Sequence, residues 1–297
     1  MSTFGTLIDS TLLHLQGYTT TQDQATYLTE SVSASATTMK IADASALSRG
    51  VAEIGDELIW VDDVDQVSLN MQIPPYGRGF RGSTAEEHAS GSRVVSSPMF
   101  PRAMVKEALN DSIRAVFPDL FGVGETSITF SPAISTYALP AGALDVLQVS
   151  WQAVGPSREW MPVRRWRVDK HAAPSAFASG ATLSVYDSIV PGRQIRVVYT
   201  KQPTPLATAS DDFATVTGLP ASSEDVIRLG AAYRLVPFFD SAHLSGMSAE
   251  ADFSANMRPV GGSAQLAKFL LQMYQVRLAE ETKRLQSIFP NRSHYTR

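Results

Sequence analysis

The period of the apolar residues changes repeatedly along this chain, and each change marks a different kind of secondary structure. Phe4, Leu7, Ile8, Leu12 and Leu15 recur at steps of three and four, the spacing of one greasy helical face. Gly17 and the Thr19–Thr21 run end that pattern, so a helix is predicted over 3–16. From Thr26 to Ser97 helical spacing disappears. Thr38–Ile41, Glu57–Val61, Val67–Met71 and Arg93–Ser96 are short β-branched or aromatic stretches set between Gly, Asp and Pro, which predicts a small β domain. Helical steps return at Met104, Val105, Ala108, Leu109, Ile113 and Val116, with Pro101 placed to start the helix and Pro118 to end it.

A period of two then takes over from about 125 to 200, at Ile128 and Phe130, more loosely at Val146, Val149 and Trp151, and again at Leu183, Val185, Ile195, Val197 and Tyr199. Pro191-Gly192 reads as the turn of a hairpin joining the last two strands. A Pro/Thr/Ala/Ser linker, Pro203–Ser210, leads to two more helices. The first is predicted from Ser222 or Ser223, with Glu224 and Asp225 in its first turn, to Val236 before Pro237. The second opens near Ser263 and carries Ala267, Leu270, Leu271, Tyr274 and Leu278 on one face, with Glu280 and Arg284 as a supporting pair. Pro290 ends it and leaves a short basic tail, Asn291–Arg297.

No such helix is stable alone in water, so the greasy faces must meet. The expected fold is α+β: a discontinuous α-helical bundle with two inserted β domains and a C-terminal tail. Its core is expected in 1–20, 98–122 and 211–289, the small β domain in 24–97, the second β domain in 123–205 and the tail in 290–297.

Several chemistries are disfavoured by what the chain contains. It has no cysteine, which excludes disulfides, thiolate metal sites and thiol nucleophiles. His14, His88, His171, His243 and His294 show no metal-ligand spacing, and neither G-x-S-x-G nor S-x-x-K occurs. Gly77–Gly82 lacks the spacing of a dinucleotide cradle and reads as a tight turn with Arg78 and Arg81 projecting. The acids Glu53, Asp56, Glu57, Asp62, Asp63 and Asp65 do not follow a calcium-loop pattern and read as the solvated face and turns of a β domain. Arg164, Arg165, Arg167 and Lys170 alternate with Trp160 and Trp166, which fits an exposed strand with Val163 and Val168 inside. Net charge is −4, so the chain as a whole is no electrostatic trap for DNA. No catalytic, metal or cofactor residues are expected. The N-terminus has no signal pattern and no apolar run approaches a membrane span, so synthesis in the cytoplasm without a membrane partner is expected.

One run is more distinctive. Tyr76–Val94, with Gly79-Phe80-Arg81-Gly82-Ser83-Thr84-Ala85, His88, Gly91 and Val94, resembles a β module of tailed-phage virion proteins, where a G-T-A-x-x-H-x-x-G-x-x-V run follows strands like Met39–Ala42 and Asp56–Val61. Here Ser83-Thr84 replaces the usual Gly-Thr. The wider plan resembles the head-to-tail adaptors of such phages. That resemblance implies a virion neck protein that forms a ring of about twelve copies, binds the portal protein above and a tail or nozzle protein below, and lets DNA pass without specific binding. It places portal docking on the tail (Phe289, Pro290, Arg292, His294, Tyr295 and Arg297). Arg164, Arg165, Arg167, Arg78 and Arg81 are the expected subunit or partner contacts. The competing readings are a tail-tube or tail-completion protein, an envelope-degrading enzyme, and a carbohydrate-binding module using Trp60, Trp151 or Trp160.

Overall fold

In a computed structural model the chain is described over residues 2–18, 23–154, 159–173, 175–177, 179–237 and 262–289. These residues form a mixed α and β protein with four antiparallel sheets and five α-helices. The chain divides into two compact units. The first holds Ile8–Leu109 and Gly230–Lys268, and the second Met1–Leu7, Asn110–Leu229 and Phe269–Arg297.

Helix α1 (Phe4–Gln16) buries Phe4, Leu7, Ile8 and Leu15 of the face its spacing predicts, while Leu12 is half-buried and Thr11 is buried in addition. In the first unit, β1 (Gln24–Tyr27), β3 (Gly50–Ile54), β4 (Glu57–Val61) and β7 (Arg93–Ser96) make one sheet in the order β1-β7-β3-β4. A second, β2-β6-β5, uses Thr38–Lys40, Asn70–Gln72 and Asp63–Asp65. Between them lies a core of Leu28, Met39, Ile41, Ile54, Ile59, Val61, Met71 and Val94. Strands β3 and β4 are joined by Gly55-Asp56, where Gly55 takes φ 58°, a conformation that suits a two-residue hairpin loop and favours glycine. Helix α2 (Arg102–Ala115) follows Pro101, and Val105, Leu109, Ser112 and Ile113 are buried on it.

In the second unit, β8 (Gly122–Thr129), β10 (Asp145–Gln152), β11 (Trp160–Pro162) and β14 (Gln194–Lys201) form a sheet in the order β11-β10-β14-β8. Strands β9 (Thr136–Ala138), β12 (Trp166–Asp169) and β13 (Thr182–Val185) form another, β12-β13-β9. Val146, Val149, Val163, Leu183, Ile195 and Val197 fill the core. The hairpin expected at Pro191-Gly192 is absent. Gly192 does turn the chain (φ 80°), but β13 pairs with β9 and β12 while β14 pairs with β8 and β10. A period of two shows which side chains turn inward, not which strand lies alongside.

Gly124 in β8 faces Tyr199 in β14, and a Cβ there would stand 2.5 Å from the Tyr199 ring. Gly124→Val is expected to lower stability by about 1–3 kcal/mol through this overlap. Thermal unfolding checks it, and Tyr199→Leu on the same chain is expected to restore part of the loss.

The last helices are α3 (Phe213–Thr217), α4 (Glu224–Leu235) and α5 (Gly262–Ile288). The sequence reading passed over α3. The Asp212 side chain accepts from Thr215 N at its start and Gly218 (φ 74°) closes it, both ordinary end signals around a segment too short for periodicity to show. On α5, Glu280 and Arg284 do not pair as expected. Arg277 bonds Glu280, while Arg284 meets Glu281 at 3.1 Å.

Candidate functional site

The distinctive run is built around one buried acid. Glu57 opens β4 with its side chain 0% exposed. Arg78 donates Nε to Oε1 (2.7 Å) and Nη2 to Oε2 (2.8 Å), the paired geometry of a guanidinium on a carboxylate. The amides of Gly79 (3.0 Å) and Glu86 (3.1 Å) and His88 Nε2 (2.7 Å) donate to the same group. Burial alone would raise the Glu57 pKa, but these donors outweigh it and hold the carboxyl at about 2. Arg78 also reaches the carbonyls of Ser33 (2.7 Å) and Glu86 (2.6 Å).

The glycines of the run have steric reasons. A Cβ on Gly77 would stand 2.7 Å from the Trp60 carbonyl oxygen, and one on Gly79 2.8 Å from that of Ser83. Ser83 itself accepts from Leu58 N (3.0 Å) and donates to Phe80 O (3.0 Å), so the departure from Gly-Thr ties the loop to β4. Glu57 with His88 has the composition of an acid–base pair, but the carboxylate is already occupied by donors. The arrangement holds a loop in place.

This corrects two expectations. Arg78 was placed at an interface, yet its side chain is 7% exposed and turned onto Glu57. Only Arg81 projects, exposed and with its guanidinium 5.6 Å from the Phe80 ring centre. Glu53 and Glu57 are likewise buried rather than part of a solvated face.

In the second unit, Arg164, Arg165 and Arg167 are exposed, with Val163 buried and Val168 packed on the core. Asp187 organises this segment. It accepts from Arg164 N (2.6 Å) and meets Arg165 Nε at 3.2 Å. Burial would raise its pKa, but the amides of Arg164 and Arg165 and the Arg165 guanidinium hold it below the usual carboxylate range. Nearby, the Arg196 guanidinium lies 4.6 Å from the Trp160 ring centre.

Of the residues expected to dock a portal, only Phe289 falls among the described residues. Pro290, Arg292, His294, Tyr295 and Arg297 lie outside them. Phe289 lines an apolar recess of about 220 Å³ with Phe121, Val123, Leu219, Leu285 and Ile288. The end of α5 that presents it is tied down. Arg277 bonds Asp225 (2.7 Å), and Ser222 Oγ donates to Glu281 (2.8 Å). Earlier on α5, Phe269 (54% exposed), Met273 and Val276 (55%) recur at steps of four and three. Their helix thus has a second apolar face besides the buried one of Leu270, Tyr274 and Leu285. Sequence reading saw only the buried face.

Compared with known families, residues 92–276 match the model described as SU10 adaptor protein. A search of the curated proteins finds no match. The matched range opens on β7, runs through α2, the second unit's strands, α3 and α4, and ends within α5. The Glu57 clamp and the tail lie outside it.

Proposed function

This chain belongs to the SU10 adaptor protein family, and on that premise we propose that it is a structural, non-enzymatic protein of the phage virion neck, a ring beneath the portal. The ring connects capsid to tail and continues the DNA channel. The observation that carries the reading is the family match, which spans more than half of the 297 residues. Two features support it. The second apolar face of α5 is the kind of surface that a protein assembling with others leaves uncovered. The net charge of −4 suits a wall that DNA slides past. No helix among the described residues is long and apolar enough to cross a membrane.

In this reading the helices of 1–20, 98–122 and 211–289 form the bundle, and the β domains of 24–97 and 123–205 are inserted into it. Subunits meet by rotational symmetry in a ring of about twelve, with Arg81, Arg164, Arg165 and Arg167 at contacts between subunits or with the tail or nozzle protein. The segment 290–297 leaves the tied end of α5 beside Phe289 and docks on the portal. Its Arg and Tyr residues are the types that dominate interface energies.

Deleting Asn291–Arg297 is expected to leave the melting temperature unchanged and to weaken binding to purified portal rings by at least ~100-fold. Co-sedimentation measures the binding and circular dichroism the fold. Undiminished portal binding by the truncated chain would remove the docking role.

A further inference from the structure

The first unit contains a second feature, separate from the tail and the Glu57 clamp. A cavity of about 580 Å³ opens between α1 and the β1-β7-β3-β4 sheet. Its apolar wall includes Leu12, Leu13, Ile54 and Phe100, and Leu13 is 71% exposed. Glu53, a carboxylate only 6% exposed, also lines it. Glu53 Oε2 accepts from Arg102 N at 2.7 Å, the first amide of α2. That bond is made by Oε2 and leaves Oε1 outside it.

The charges around it are unevenly paired. Arg102, the nearest cation, is committed to Asp56 (3.1 Å) and bonded to Asp9, and Lys106 is bonded to Asp56. Asp23 lines the cavity as a second acid, holding only a 3.4 Å contact from Met99 N. Arg93 and His88 also line it. The Arg93 side chain has no ion pair among the described residues, and His88 is engaged by Glu57. A largely buried acid therefore lines a cavity of mixed character, with Leu12, Leu13, Ile54 and Phe100 as its apolar part. Burying the charge of Glu53 costs free energy, and a cationic donor from outside would offset part of it.

We propose that this cavity receives a basic side chain, arginine or lysine, carried between apolar residues on a partner polypeptide. The aliphatic stem lies along Leu12, Leu13 and Phe100, and the charged head meets Glu53 Oε1 with Asp23 beside it. Leu12, Leu13, Asp23 and Glu53 lie outside the family-matched range while Phe100 and Arg102 lie within it, and the site involves neither the tail nor the portal. It therefore stands or falls independently of the ring reading.

The geometry also fixes the direction of a pH effect. Burial raises the Glu53 pKa to about 7, against the lowering by the Arg102 amide and guanidinium and with the help of Asp56 and Asp23. Taking up a cation at pH 6 therefore requires Glu53 to release its proton. Affinity is expected to rise about tenfold between pH 6 and pH 8 and then level off.

The full chain is titrated calorimetrically with the acetylated, amidated pentapeptide Ala-Leu-Arg-Leu-Ala and with its citrulline counterpart, which keeps the shape and loses the charge. The arginine peptide is expected to bind and the citrulline peptide to bind at least tenfold more weakly. Glu53→Gln, whose amide oxygen still accepts from Arg102 N, is expected to lose both the affinity and the pH dependence. Glu87→Gln, an exposed acid outside the cavity, is expected to change neither. Circular dichroism confirms the fold of each variant. Equal binding of the two peptides, no binding at millimolar concentration, or a pH dependence that survives in Glu53→Gln would each overturn the proposal. If Glu53→Gln instead abolished self-association of the chain, the occupant would be a second copy and the partner named here would be wrong.

Discussion

Alanine in place of Glu57 is expected to destabilise the first unit by about 3–5 kcal/mol, enough to unfold many domains of this size. The cost does not come from losing a favourable ion pair as such. It comes from leaving the Arg78 guanidinium and His88 inside the protein with their common acceptor gone, together with the amides of Gly79 and Glu86. Glu57→Gln keeps the shape but offers one acceptor oxygen in place of two, so most of the loss is expected to remain. Chemical denaturation of wild type and both variants measures it. A loss below about 1 kcal/mol in both, the range of an exposed pair, would contradict the clamp. The same geometry predicts acid sensitivity. The folded-state pKa of about 2 lies below the ordinary 4.5, so this stabilisation is complete above pH 4.5 and disappears as pH falls toward 2. That displacement corresponds to about 3 kcal/mol.

The second large effect has the opposite sign and comes from an acid four residues earlier. The Glu53 pKa is raised from 4.5 to about 7. The folded protein therefore holds this proton more tightly than the unfolded chain does. Its contribution is most favourable below pH 4.5, declines as pH rises toward 7, and is constant above that. The full penalty for the ionised form is about 3 kcal/mol. Glu53→Gln is expected to remove that slope and to raise stability by up to this amount at pH 8, while changing little at pH 4.5. Thermal melts of wild type and variant across pH 4.5–8 test it, and a variant less stable than wild type at pH 8 would contradict the raised pKa. As far as these two acids decide the matter, the first unit is most stable near pH 4.5. A partner's cation in the cavity would shift that optimum upward by stabilising ionised Glu53.

Element by element, the existence and type of structure followed from local pattern. The face of α1, the start of α2 at Pro101 and the inward Val163 are properties of neighbouring residues, and periodicity reports them. What periodicity missed was short or two-sided. Helix α3 has too few turns to repeat, and the exposed Phe269-Met273-Val276 face of α5 overlaps a buried one on the same helix.

The functional features divide differently. The Tyr76–Val94 run drew attention in the sequence as a mark of virion proteins, and the structure gives it a physical content, the wrapping of a loop around Glu57. Family membership itself is carried by 92–276, mostly outside that run. Sequence alone thus determined the order of helical and β segments, the absence of cysteine chemistry, and a basic aromatic tail after α5. Only the tertiary structure decided that Arg78 turns inward while Arg81 turns out. It alone decided that β13 and β14 belong to different sheets, and that Glu53 and Glu57, four residues apart, titrate on opposite sides of their ordinary value. The reason is common to all three. Burial, strand partnership and pKa depend on groups brought from distant parts of the chain, and the residue types themselves carry no record of which neighbours will arrive.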